Sequence, residues 1–152
     1  MNGVTLTVCL TIGAGMWSSA AFCRRPAPEA QTSPRDTLVA GCAGGITGGG
    51  SGSAVTGTGD LLRWIRNGPR PEETEWTQVG RDPTKAQRIY GRLGSTDFDQ
   101  TEFRHPSNMT CFLARRGPKP HEVAWPMGQR PANIIKIVAL FDQLQELAKT
   151  KE

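Results

Sequence analysis

The alternation of apolar and polar positions divides this chain into stretches of different character. Met1 to Cys23 carries no ionised side chain and is studded with Val4, Leu6, Val8, Leu10, Ile12, Ala14, Met16, Trp17, Ala20, Ala21 and Phe22. Twenty helical residues span about 30 Å, the hydrocarbon thickness of a bilayer, so the run predicts an apolar helix of near-spanning length. Pro26, Pro28 and Pro34 then interrupt any regular element, and residues 24–36 read as a linker. Thr37 to Gly59 is again charge-free, with Gly at 41, 44, 45, 48, 49, 50, 52, 57 and 59. It reads first as a flexible linker or irregular loop and second as a membrane-inserted helix. In the second reading the pairs Gly41/Gly45 and Gly48/Gly52, four residues apart, form a close-packing face.

Beyond Asp60 the pattern becomes that of a small domain. Leu61, Leu62, Trp64 and Ile65 before Gly68 and Pro69 predict a short helix over 60–67. Trp76 to Val79 reads as a strand. Asp82-Pro83 supplies an N-cap and first-turn pair, and Ala86, Ile89, Tyr90 and Leu93 recur at helical spacing, predicting a helix over 83–93. A further turn of helix is expected around Phe98 and Phe103. Met109 to Ala114 and Glu122 to Trp125 predict a hairpin across Gly117, Pro118 and Pro120. Asn133 caps the last and most apolar helix, Ile134 to Lys149, in which Leu140, Leu144 and Leu147 continue one stripe. The expected fold is a small α+β domain over about residues 60–152 with a C-terminal amphipathic helix. An apolar segment (1–23), a Pro-rich linker (24–36) and a Gly-rich segment (37–59) precede it, making a largely irregular N-terminal half.

Composition sharpens the division. The 152 residues include 18 Gly and 11 Pro, only 37% apolar residues, and 18 Lys+Arg against 14 Asp+Glu. Before Asp60 the only charges are Arg24, Arg25, Arg35, Glu29 and Asp36. A soluble surface needs interspersed charge, which places the globular part after Asp60. The net charge of +4 is too mild to announce a nucleic-acid binder.

The first segment admits three readings. As an anchor, it is followed at once by Arg24 and Arg25, which the positive-inside rule keeps on the cytosolic, matrix or stromal side. As a cleaved secretory signal, it offers the small residues Ser19-Ala20-Ala21 but lacks a basic residue before its core. The third reading is a buried element of a soluble domain. Ala20-Ala21-Phe22 is also similar to the Ala–Phe junction of bipartite plastid presequences. The Gly-rich run with its exit Arg63…Arg66-Asn67-Gly68-Pro69 resembles the first span of the mitochondrial import-translocase family, which implies an organelle membrane.

Candidate chemistry is scarce. Gly44 to Gly49 has Walker-loop spacing, but Gly50-Ser51 stands where Lys-Ser/Thr is needed to reach the phosphates. Cys9, Cys23, Cys42 and Cys111 form no close-spaced pair for zinc and no disulfide framework. Cys111 with His105 or His121 is a conceivable nucleophile pair, but its alternation with Met109 and Leu113 favours a buried inert thiol. Asp97-Phe98-Asp99 opens like a calcium loop, yet Glu102 replaces the turn glycine. Asn108-Met109-Thr110 fits the glycosylation sequon.

The expected function is therefore a non-enzymatic accessory or structural subunit of a membrane-embedded protein complex, with no cofactor, metal or small-molecule substrate. Its partners are other protein subunits and membrane lipid. Trp17, Arg24, Arg25, Gly41, Gly45, Gly48, Gly52 and Trp64 are the candidates for membrane contact and close packing. Arg115, Arg116, Leu140, Leu144 and Leu147 are the candidates for partner contact. The expected location is an organelle membrane, the mitochondrial inner membrane or the plastid thylakoid. The alternative is a secreted or plastid soluble binding module, freed of its presequence and touching RNA or the ribosome through Arg115/Arg116.

Overall fold

The computed structural model describes residues 36–105, 107–147 and 149, all of them in one compact unit. The apolar helix expected over 1–23, with Trp17, Arg24 and Arg25, lies outside the described residues.

The fold is mostly β, and this corrects the expected α+β domain with an irregular N-terminal half. Six strands form one sheet: β1 (Thr37–Gly44), β2 (Gly50–Thr56), β3 (Asp60–Arg66), β4 (Thr74–Arg81), β5 (Met109–Arg116) and β6 (His121–Pro126). Two helices, α1 (Pro83–Gly94) and α2 (Ile135–Leu147), complete it, with single 3₁₀ turns at Pro71–Glu73, Phe98–Gln100 and Ala132–Ile134. The spatial order is β4-β3-β2-β1-β5-β6, and every neighbouring pair is antiparallel.

The Gly-rich segment is thus neither a linker nor a membrane helix. It makes the two central strands β1 and β2, flanked by β5 and β3. Its four-residue glycine spacing has another cause. Gly41 and Gly52 are cross-strand partners, while Gly45 and Gly48 sit in the turn between the strands. The stretch expected as a helix over 60–67 is β3, because pairing with β2 on one side and β4 on the other outweighs its helical spacing. A register shift against β4 falls between Leu61 and Leu62. Leu61 joins the core under the helices, while Leu62 and Trp64 join the opposite face.

The two faces differ. On one, Leu38, Ala40, Val55, Leu113, Val123 and Trp125 are buried against Ala86, Ile89 and Leu93 of α1 and Ile137, Val138, Leu140 and Leu144 of α2. Asp82 caps α1 as expected, accepting from the Lys85 amide at 2.9 Å, and that bond holds its carboxyl below the usual range. Asn133 lies inside the 3₁₀ turn that leads into α2, not ahead of it. The opposite face carries a second cluster built from strand residues alone: Val39, Ala54 and Trp64, with Ala43, Leu62, Trp76 and Phe112 around them.

Tyr90 ties α1 to the start of β1. Its hydroxyl donates to the carbonyls of Asp36 at 2.9 Å and Val55 at 3.2 Å. Burial, and secondarily the Asp36 carboxylate, push its pKa well up. A phenol raised in the folded state stabilises fully below its unfolded pKa of about 10, and that contribution is lost as pH rises further. Tyr90→Phe is expected to cost about 1 kcal/mol in urea unfolding at pH 7. It should also flatten the alkaline decline of stability that the parent shows above about pH 10. An unchanged alkaline decline in the variant would assign the loss to another group.

Candidate functional site

The antiparallel order gathers four connections at one end of the sheet: the β1–β2 turn, the β3–β4 loop, the entry to β5 and the exit from β6. The opposite end holds Asp36, where the described chain begins, and the β2–β3 and β5–β6 turns.

The β1–β2 turn is fixed by its neighbours. The Gly44 amide donates to the Gly49 carbonyl at 2.9 Å, the Gly48 amide to Gly45 at 3.1 Å, and the Gly45 amide to Asn108 at 2.6 Å. Gly44 (φ 131°) and Gly48 (φ 68°) have positive φ, and a Cβ at either would meet backbone of Asn108 or Pro69. Only glycine satisfies both demands. Between them Ile46 stands completely exposed, at 103% of its reference area. Among the described residues, the other exposed large apolar side chains are Ile65 near the close of β3 and Met127 after β6, both at this end, and Ile135 at the start of α2. The Met127 amide donates to the Met109 carbonyl at 2.9 Å, tying the β6 exit to the β5 entry.

An open cleft of about 600 Å³ lies by the exit from β6, lined by Phe103, His105, Pro126, Gln129, Arg130 and Pro131. The Phe103 and His105 ring centroids are 4.4 Å apart. Arg130 is held by Asp142 at 2.7 Å. Among the described residues, no group of three His, Cys, Asp or Glu converges to hold a metal.

The residues singled out from sequence fall elsewhere. Trp64 is buried at 3% exposure, not at a membrane interface. Its Nε1–H donates to the Ala40 carbonyl at 3.1 Å, and the indole lies against Gly41 and Gly52, where any Cβ would overlap it. Gly45 and Gly48 shape the exposed turn. Leu140 and Leu144 are buried in the core and Leu147 packs against it, so this stripe is internal packing. Arg115 pairs with Asp99 at 3.0 Å and Arg116 with Glu122 at 3.0 Å. Arg116 shares Glu122 with Arg104. His121 is structural: its Nε2 lies 3.0 Å from the Thr101 carbonyl and its ring meets Phe98 edge-on.

Cys111 is not an inert thiol. It forms a disulfide with Cys42, its direct partner across β1 and β5. The bond closes a sequence separation of 69, a distance at which spacing gives no signal of pairing. Ile46 was also missed, although a lone β-branched residue inside a glycine run was visible in the sequence. Comparison with known proteins finds no matching family model and no matching curated protein.

Proposed function

We propose that the chain is a non-enzymatic binding subunit of a membrane-associated protein complex, tethered by its N-terminal apolar segment and docking through the β1–β2 turn end of its sheet. The supporting observation is that Ile46, Ile65 and Met127 stand exposed at the β1–β2 turn end of the sheet, outside the core. Exposed apolar side chains gathered on one surface are a mark of protein contact. The polarity of the domain agrees, since the described chain enters at Asp36, at the opposite end from this surface.

The Cys42–Cys111 bond bears on the compartment. Disulfides persist in oxidising surroundings, which supports placing the domain on the lumenal or outer side of its membrane. That is the reverse of the side suggested by Arg24 and Arg25. The same bond favours a second reading, an exported soluble module whose presequence has been removed.

Alkaline carbonate extraction of the native protein, followed by intact mass, tests the proposal. A full-length chain retained in the membrane pellet is expected. Release of the full-length chain into the supernatant would overturn the tether. A soluble species beginning near Phe22 would replace it with the exported module.

A further inference from the structure

We propose that Asn108 is an N-glycosylation site, carrying an oligosaccharide on its side-chain amide at the entry to β5. The inference rests on the lumenal or outer placement that the Cys42–Cys111 bond supports, and it adds a covalent modification to that reading. Asn108-Met109-Thr110 has a hydroxyl residue two places after the asparagine and no proline between, as the acceptor motif requires. The other asparagines, Asn2, Asn67 and Asn133, are followed two places on by Val4, Pro69 and Ile135 and do not match.

The fold leaves the acceptor nitrogen free. Asn108 is exposed in the bend just ahead of β5. Its backbone serves the structure, with the carbonyl accepting from the Gly45 amide at 2.6 Å. Its side chain makes no hydrogen bond among the described residues. Thr110 has a place of its own, since its hydroxyl accepts from the Ser107 amide and donates to the Ser107 carbonyl, each at 3.1 Å. No such contact explains an asparagine side chain at 108.

Thr110 also pairs with Ala43 and Pro126 in the sheet, so a transferase can read the motif only before β5 is paired. Transfer therefore belongs to the unfolded, entering chain, and the folded domain needs only an outlet for a bulky, solubilising group. The donor is a lipid-linked oligosaccharyl pyrophosphate. The amide nitrogen forms a bond to the anomeric carbon of the first sugar, whose bond to the pyrophosphate oxygen breaks. The lipid pyrophosphate leaves with that electron pair, and the amide gives up one proton to a base of the transferase. The secretory lumen that supplies this donor is also a compartment in which disulfides form, so the two modifications agree. The glycan is rooted on the β5 side of the β1–β2 turn, whereas Ile65 lies on β3, beyond β2. That leaves the β3 side of this end for a protein partner.

Peptide-N-glycosidase treatment of the denatured native protein tests the site. Faster migration on a gel is expected, with Asn108 converted to aspartate in its peptide and labelled when the reaction runs in heavy-oxygen water. In secretory cells expressing the full chain, Asn108→Gln and Thr110→Ala should each abolish the mobility shift. Thr110→Ser keeps the hydroxyl and should retain it. An unmodified Asn108 in the native protein would overturn the site. If that unmodified chain stays in the carbonate pellet, the tether stands and the glycan alone falls. A glycan on a chain released as a soluble species would uphold the site and overturn the tether.

Discussion

Replacing Trp64 by alanine is expected to destabilise the domain by about 3–5 kcal/mol, the usual cost of removing a large aromatic from a packed site. Trp64 is 3% exposed. Its ring lies 5.8 Å from Phe112 and 6.5 Å from Trp76, centroid to centroid, and over Gly41 and Gly52. Glycines cannot refill the space from below, since they have no side chain to move into it. The loss also leaves the Ala40 carbonyl without its indole donor. A domain of this size has a total stability of about 5–15 kcal/mol, so the variant should lose about a fifth of it or more. In a thermal melt the midpoint should fall by roughly 15 °C or more. A fall of only a few degrees would mean that the indole contributes far less than its burial implies. Trp64→Phe is the informative partner variant, because it keeps an aromatic ring on the glycine floor and removes the donor. Its cost should be clearly smaller.

Reducing the Cys42–Cys111 bond is expected to remove about 4 kcal/mol. That value follows from chain entropy for a closed loop near the separation of 69. The bond joins the neighbouring strands β1 and β5 two residues before Gly44, so it also secures the base of the Ile46 turn. Equilibrium unfolding in guanidinium with and without reductant should show a lower midpoint for the reduced protein. Alkylation of the unreduced, unfolded protein supplies the control, as both cysteines should be protected. Alkylation of both without reductant would show that the bond is absent from the native protein, and the argument for an oxidising compartment would fall with it.

Parts of this fold are legible from local sequence and parts are not. Asp82-Pro83 and the stripe Ala86, Ile89, Leu93 give α1 within a residue, because capping and burial there act over short spacings. The β5–β6 hairpin and α2 follow from the same kind of signal. The first three strands do not. Gly41 and Gly52 look like linker residues until Trp64 is placed over them, and that relation joins residues on three different strands. The same indole suggested an interfacial helix over 60–67, since Leu61, Leu62, Trp64 and Ile65 satisfy a helical spacing as well as a strand with a register shift. The candidate site is hidden for a related reason. Exposure of Ile46 becomes visible only when its place in the β1–β2 turn is known.

The sheet is also lopsided at its borders. Along β6, the Ala124 amide donates to Phe103 and the His105 amide to Ala124, so a short stretch of chain seals that margin. The margin at β4 ends the strand order with no such cover among the described residues. A molecule with two open margins can stack strand to strand without limit, whereas one open margin permits a single joining event. If copies of this domain met edge to edge, they would use β4, the margin that the described residues leave open. Among the described residues, the short Phe103–His105 stretch is the cover that would hold such joining to a pair.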